Sequence, residues 1–144
     1  MEFKDFMELP GKLDDQIYRK EEIITMLRAR SEKCTAVLSA VPGGNAYDES
    51  RTEELVARID ETDEEIRKLE KEKKAAGDAV CLLLAELESP MQIRILKKRY
   101  VDLKEFSEIT VDVDRSERFV YQQHRKAMKE AEIVYERLNN RRIY

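Results

Sequence analysis

The sequence predicts an all-α protein: a long antiparallel helical hairpin of coiled-coil character over residues 1–88, then a helix-turn-helix over residues 89–144. Three observations carry that expectation. Gly and Pro together supply only seven of 144 residues, roughly 5% where about 12% is usual, so the chain turns few corners. Apolar residues recur at alternating steps of four and three along most of the first 88 positions, the period of packed helices and not of strands. Hydrophobic residues make up 42% of the chain, enough to bury a core and to separate it from disordered, highly charged sequences.

The first helix is expected from Leu13. Leu13, Ile17, Lys20, Ile24, Leu27, Ser31, Cys34 and Leu38 form one seam, interrupted only by polar Lys20 and Ser31. Val41-Pro42-Gly43-Gly44-Asn45 is the one dense turn signal and marks the bend. Ser50 with Glu53 three residues on has the pattern of a capping box that would restart the helix. The second seam is longer: Leu55, Ile59, Thr62, Ile66, Leu69, Lys73, Ala76, Val80, Leu83 and Leu87 keep a coiled-coil period of 3.5. Outside it, Glu54–Arg58, Asp63–Arg67, Glu64–Lys68 and Glu70–Lys74 follow the acid-then-base i, i+4 pattern of a solvated helix face. At 1.5 Å per residue the second helix should outrun the first by about 15 Å. Val80 to Leu87 therefore needs a further partner: the Phe3/Phe6/Met7/Leu9 segment, the C-terminal region, or a second chain in a homodimer.

Ser89-Pro90 is a helix start, a capping serine followed by proline in the first turn. Met91 to Val101 then reads as a helix with Ile93, Leu96 and Tyr100 inward and Arg94, Lys97 and Lys98 outward. Asp102-Leu103 breaks it, and Lys104 to about Ile109 forms a second short helix burying Phe106 and Ile109. Thr110 to Arg115 is β-branched and acidic and reads as a turn carrying Val113 inward. Ser116 caps a last helix through about Asn139, with Val120, Ala127, Ala131, Val134 and Leu138 inward.

The net charge of −4 conceals a division at Ser89. Residues 1–88 hold 14 Lys+Arg against 22 Asp+Glu, a net of −8, whereas residues 89–144 hold 13 against 9, a net of +4. A polyanion would therefore meet the second half. Other classes fall away. One histidine and two distant cysteines make neither a zinc set nor a carboxylate-bridged metal bundle, so no metal or other cofactor is expected. Gly43-Gly44 follows a helix and precedes no Lys-Ser/Thr, which excludes a phosphate loop. No Ser or Cys has an evident base beside it, and the chain is not read as an enzyme. Without a basic region and apolar stretch at Met1–Asp5, and with no apolar run of 18 residues, a cytoplasmic protein that does not span a membrane is expected. Cys34 and Cys81 lie within apolar helical patterns and read as buried thiols in a reducing compartment.

Two short helices, a turn, a serine cap and a helix with outward Arg and Gln match a helix-turn-helix, whose second helix enters the major groove N-terminal end first. The side chains placed to read base edges are Glu117, Arg118, Tyr121 and Gln122. Arg can pair bidentately with guanine, Gln with adenine, and Glu can accept from cytosine. Lys104, Arg115, Ser116, Arg125, Lys126 and Lys129 are placed to hold phosphates. His124, the single histidine, reads as a packed, hydrogen-bonded side chain, with a phosphate contact as the alternative; Tyr100 reads as core with its hydroxyl at the surface.

Ile95-Leu96-Lys97-Lys98-Arg99-Tyr100, Phe106-Ser107-Glu108-Ile109 and Ser116 through Met128 together resemble region 4 of the primary bacterial sigma factors. Residues 12–132 also resemble an uncharacterised family of prophage proteins from Gram-positive bacteria, in which a helical hairpin precedes a sigma-region-4-like end. The matching positions are Arg99-Tyr100, Phe106 to Thr110, and Val120-Tyr121-Gln122-Gln123-His124-Arg125-Lys126-Ala127-Met128. The resemblance extends to phage late-gene transcription regulators and implies binding of double-stranded DNA and control of transcription, with RNA polymerase as a further partner. The alternative is an adaptor that binds RNA polymerase or a host factor and not DNA. Three positions depart from the pattern: Phe106 stands for Trp, Thr110 for a small Ala between two helices, and Gln123 for a core Leu.

Overall fold

The computed structural model describes the backbone of residues 1–40 and 46–143 and the side chains of residues 1–33 and 50–141. Among the described residues the protein is all helical, 89% helix with five α-helices and no strand. The helices are α1 (Phe3–Ala40), α2 (Ala46–Leu84), α3 (Pro90–Leu96), α4 (Phe106–Val113) and α5 (Glu117–Ile143), with a π-helical turn, Lys97–Val101, continuing α3. No described helix is long and apolar enough to cross a membrane. The expected bend at Val41–Asn45 lies outside the described residues. Packing divides the chain into two compact units, residues 13–71 and residues 1–12 with 72–144.

In the unit of residues 13–71, the heptad pattern sets which side chains are hidden. Ile17 and Ile24 of α1 form one cluster with Ile59 and Ile66 of α2, flanked by Leu27 and Leu69. Thr62, a polar seam residue, is only 7% exposed. Its hydroxyl donates to the Arg58 carbonyl at 2.8 Å, so burial leaves no orphan donor. Lys20, a polar interruption of the first seam, reaches out to Glu65 at 2.6 Å and holds that carboxyl below its ordinary value through hydrogen bond and charge. Arg28 pairs with Asp63 at 3.7 Å. Both helices start earlier than the sequence predicts. α2 begins at Ala46, which places Ser50 inside the helix and not at its cap.

α1 begins at Phe3 and carries Pro10 within it. Proline removes one intrahelical hydrogen bond there. The loss is offset by burial: Met7 and Pro10 are fully enclosed, and Phe3 and Phe6 pack on the core of the second unit. That core joins Met7, then Val80, Leu83, Leu84 and Leu87, then Leu96, Ala127, Ala131 and Val134. The excess length of α2 is thus covered by the N-terminal segment and the C-terminal region together, within one chain. The packing division consequently falls near residue 72, whereas the charge division falls at Ser89. Cys81 is half-buried and not fully enclosed as expected, because it flanks the seam positions Ala76, Val80 and Leu83. Cys34 lies outside the described side chains.

The π-helical turn ends in a sharp corner. Ser89 caps α3 as expected, accepting from the Gln92 amide at 3.3 Å. After the turn, Leu103 adopts the left-handed conformation, φ 57°, at a cost of about 1–2 kcal/mol for a branched residue. Its side chain packs towards α1, 3.6 Å from where a Cβ on Gly11 would stand, an ordinary van der Waals distance. Arg99 closes the corner, its Nη1 donating to the Lys104 carbonyl at 3.0 Å, and the Lys104 amide donates to the Lys98 carbonyl at 2.9 Å.

Candidate nucleic-acid interface

α4 and α5 are joined by three residues, Asp114 to Ser116. The sequence predicts the turn earlier, from Thr110; the helix instead runs through Val113. Tertiary packing outweighs the poor helix propensity of the stretch. Ile109 and Val113, one turn apart, are buried with Ile95 and Val120, and Met91 and Phe106 pack alongside. Within the helix the Thr110 hydroxyl is satisfied by donating to the Phe106 carbonyl at 2.6 Å. Asp114 then turns left-handed, φ 52° and ψ 51°, its amide meeting the carbonyls of Thr110 and Val111. Ser116 caps α5 by accepting from the Phe119 amide at 3.2 Å.

Val120, Ala127, Ala131 and Val134 are the buried stripe of α5. At 100° per residue, Arg118, Gln122, Arg125 and Lys129 fall within an arc of about 60° on the opposite side. All four are exposed. Tyr121 and Lys126, also exposed, stand on opposite flanks of that stripe. Glu117 and Arg115 are exposed at its start, the Arg115 guanidinium 5.5 Å from the Phe119 ring centre. Farther along, Glu132 and Glu136 occupy the same side, so the cationic stripe is confined to the first half of α5.

Of the residues expected on phosphates, Arg125, Lys126 and Lys129 are exposed on α5. Ser116 uses its oxygen as a cap. Lys104 is different: it pairs with Asp112 at 2.7 Å, and Lys98 reaches the same carboxylate at 3.4 Å. That hydrogen bond raises the Lys104 ammonium and lowers the Asp112 carboxyl from their ordinary values. Asp112 escapes sequence reasoning because its stretch reads as a turn. On a helix it stands eight residues from Lys104 and close enough to hold it. Arg94 and Lys97 line a depression with Lys98 beside α3, and Lys97 pairs with Asp102 at 3.5 Å.

Behind the stripe lies an aromatic group that the sequence identifies only in part. Tyr100 and His124 are both half-buried and hydrogen-bonded, Oη to Nε2 at 2.9 Å, with their rings stacked. The Tyr100 hydroxyl therefore faces α5 and not solvent, a correction to its expected placement. A neutral imidazole with its proton on Nδ1 accepts from the phenol. Burial pushes the tyrosine up and the histidine down, and the Arg99 charge lowers both. Because folding holds His124 below its ordinary 6.5, the unfolded chain takes up the proton first as pH falls. Stability is expected to be full above about pH 6.5 and to decline below it, down through the folded value. Thermal melts between pH 5 and 8 should show this loss, and His124→Gln should flatten it; an unchanged profile in the variant would assign the acid sensitivity elsewhere.

Among the described residues, no group of three or more His, Cys, Asp or Glu is arranged to hold a metal ion. The arrangement offers instead a capped helix with a cationic, hydrogen-bonding stripe at its N-terminal half. No protein-family model, curated protein or solved structure matches the chain.

Proposed function

We propose that the protein is a phage-type transcription regulator that binds duplex DNA, with α4 and α5 acting as a helix-turn-helix of the sigma region-4 kind. The observation that carries this reading is the exposed row Arg118, Gln122, Arg125 and Lys129, opposite the buried stripe of a helix capped by Ser116. Arg and Gln are the side chains that pair bidentately with purines, and the neighbouring cations neutralise phosphates. The resemblance of residues 95–128 to sigma region 4 supports the same reading. In it, residues 13–71 form an antiparallel hairpin that dimerises or engages RNA polymerase in the bacterial cytoplasm. A net charge of +4 on residues 89–144 is modest for DNA binding, so a second subunit or a polymerase contact supplies further affinity.

The adaptor reading draws on one observation: Lys98 and Lys104 are tied to Asp112. Salt titration decides between the two. With Arg115, Arg125, Lys126 and Lys129 on phosphates, the log–log slope of affinity for the native genomic fragments against salt should be about −4, from roughly −0.9 per neutralised phosphate. A slope near zero with no preferred fragment would leave the adaptor.

A further inference from the structure

Tyr121 is built into the protein differently from its neighbours on the exposed side of α5. Its ring stands 4.6 Å from the Phe106 ring, tilted by 34°. Phe106 is itself held on two more sides. The Arg99 guanidinium lies 4.6 Å over its ring, and His124 meets it edge-on at 5.1 Å and 89°. Arg99 is anchored to the Lys104 carbonyl and His124 to the Tyr100 hydroxyl. Tyr121 is nevertheless 41% exposed. It is thus an aromatic ring with its position already fixed, presenting an edge beside Arg118 and Gln122. Ordering a side chain on binding costs about 0.5–1.5 kcal/mol, and for Tyr121 most of that ordering is done in the free protein.

What such an edge would recognise follows from the chemistry of the groove. Base pairs present donors and acceptors there, and one apolar group, the C5 methyl of thymine. Arg118 and Gln122 supply hydrogen bonds; a ring packed against Phe106 supplies apolar contact. We infer that Tyr121 is a specificity-determining residue, its ring packing on a thymine methyl next to the bases addressed by Arg118 and Gln122. The inference rests on the DNA-binding reading and deepens it by naming a base.

The experiment uses the full chain. Duplexes are selected from a randomised library, and each thymine of the selected site is replaced in turn by deoxyuridine, which removes the methyl and leaves base pairing intact. One replacement should weaken binding about fourfold, the factor expected for burying one carbon of this size. Tyr121→Ala should bind that site more weakly and be indifferent to the same replacement, whereas Tyr121→Phe should keep the sensitivity because the ring and not the hydroxyl touches the methyl. Thermal melts check that both variants stay folded, and Tyr121→Phe carries the test if the alanine variant does not. No sensitive thymine overturns the inference while DNA binding stands, and so does sensitivity that survives in Tyr121→Ala or disappears in Tyr121→Phe. Selection of no duplex at all overturns the DNA-binding reading and this inference with it.

Discussion

A fragment of residues 89–144, cut where the charge changes sign, is expected not to fold. Among the described residues, nine buried ones make up the largest core, and Met7, Val80, Leu83, Leu84 and Leu87 of them lie outside that fragment. Each fully buried side chain of this size contributes about 1.5–3 kcal/mol. Removing five forfeits roughly 8–15 kcal/mol, as much as the whole stability of an ordinary domain, about 5–15 kcal/mol. Helical circular dichroism should fall far below that of the corresponding region in the full chain, and denaturant unfolding should lose its cooperativity. Leu84→Ala in the full chain probes the same core more gently. Leu84 is almost fully enclosed, and truncation should cost about 2–5 kcal/mol, read as a lower urea midpoint. A fragment that unfolds cooperatively, or a Leu84→Ala chain as stable as its parent, would restore Ser89 as the domain boundary.

The elements are legible in the sequence where one physical signal dominates. Every apolar member of the heptad seam from Leu13 to Leu87 with a described side chain is buried or half-buried, since a period of 3.5 admits only one hidden face. Ser89-Pro90 and Ser116 are legible because a cap is a local device, decided by the residues within one turn. The same local pattern at Ser50 falls inside α2 and starts no helix; the remaining misreadings are of long-range character. Val111, Val113 and Thr110 look unlike helix formers, and only packing against Ile95 and Val120, distant in sequence, makes α4 continue to Val113. The first helix is expected only from Leu13, beyond Pro10 and Gly11. Their place inside α1 depends on Met7 finding Leu84 and on Leu103 approaching Gly11. The stripe on α5 follows from periodicity, but the packing of Arg99 on Phe106 and of Phe106 on Tyr121 does not, because it joins three elements. Periodicity identifies faces; it does not identify which face of another helix they will meet.

Arg118→Ala and Lys126→Ala are expected to weaken DNA binding in different ways, and the difference follows from where each stands on α5. Arg118 begins the outward stripe, two residues from the Ser116 cap, where a helix entering the major groove brings its side chains against base edges. Replacing a bidentate arginine–guanine pairing with alanine should lower affinity for the selected site by about 10- to 100-fold and relax the preference at one base pair. The salt slope should stay nearly constant, because no phosphate is released. Lys126 is on the flank away from Tyr121, where in the proposed complex the groove wall would carry phosphate. Its removal should weaken selected and random duplexes alike and flatten the log–log salt slope by about 0.9. The two measurements are independent, one over sequence and one over ionic strength, so each variant yields a pair of numbers and not a single loss. If both variants flatten the slope and leave sequence choice untouched, Arg118 is a phosphate anchor and the base-reading part of α5 lies elsewhere. If Lys126→Ala alone changes sequence preference, the helix is rotated in the groove by about the 80° that separates the two side chains, and Tyr121 would then face away from the bases.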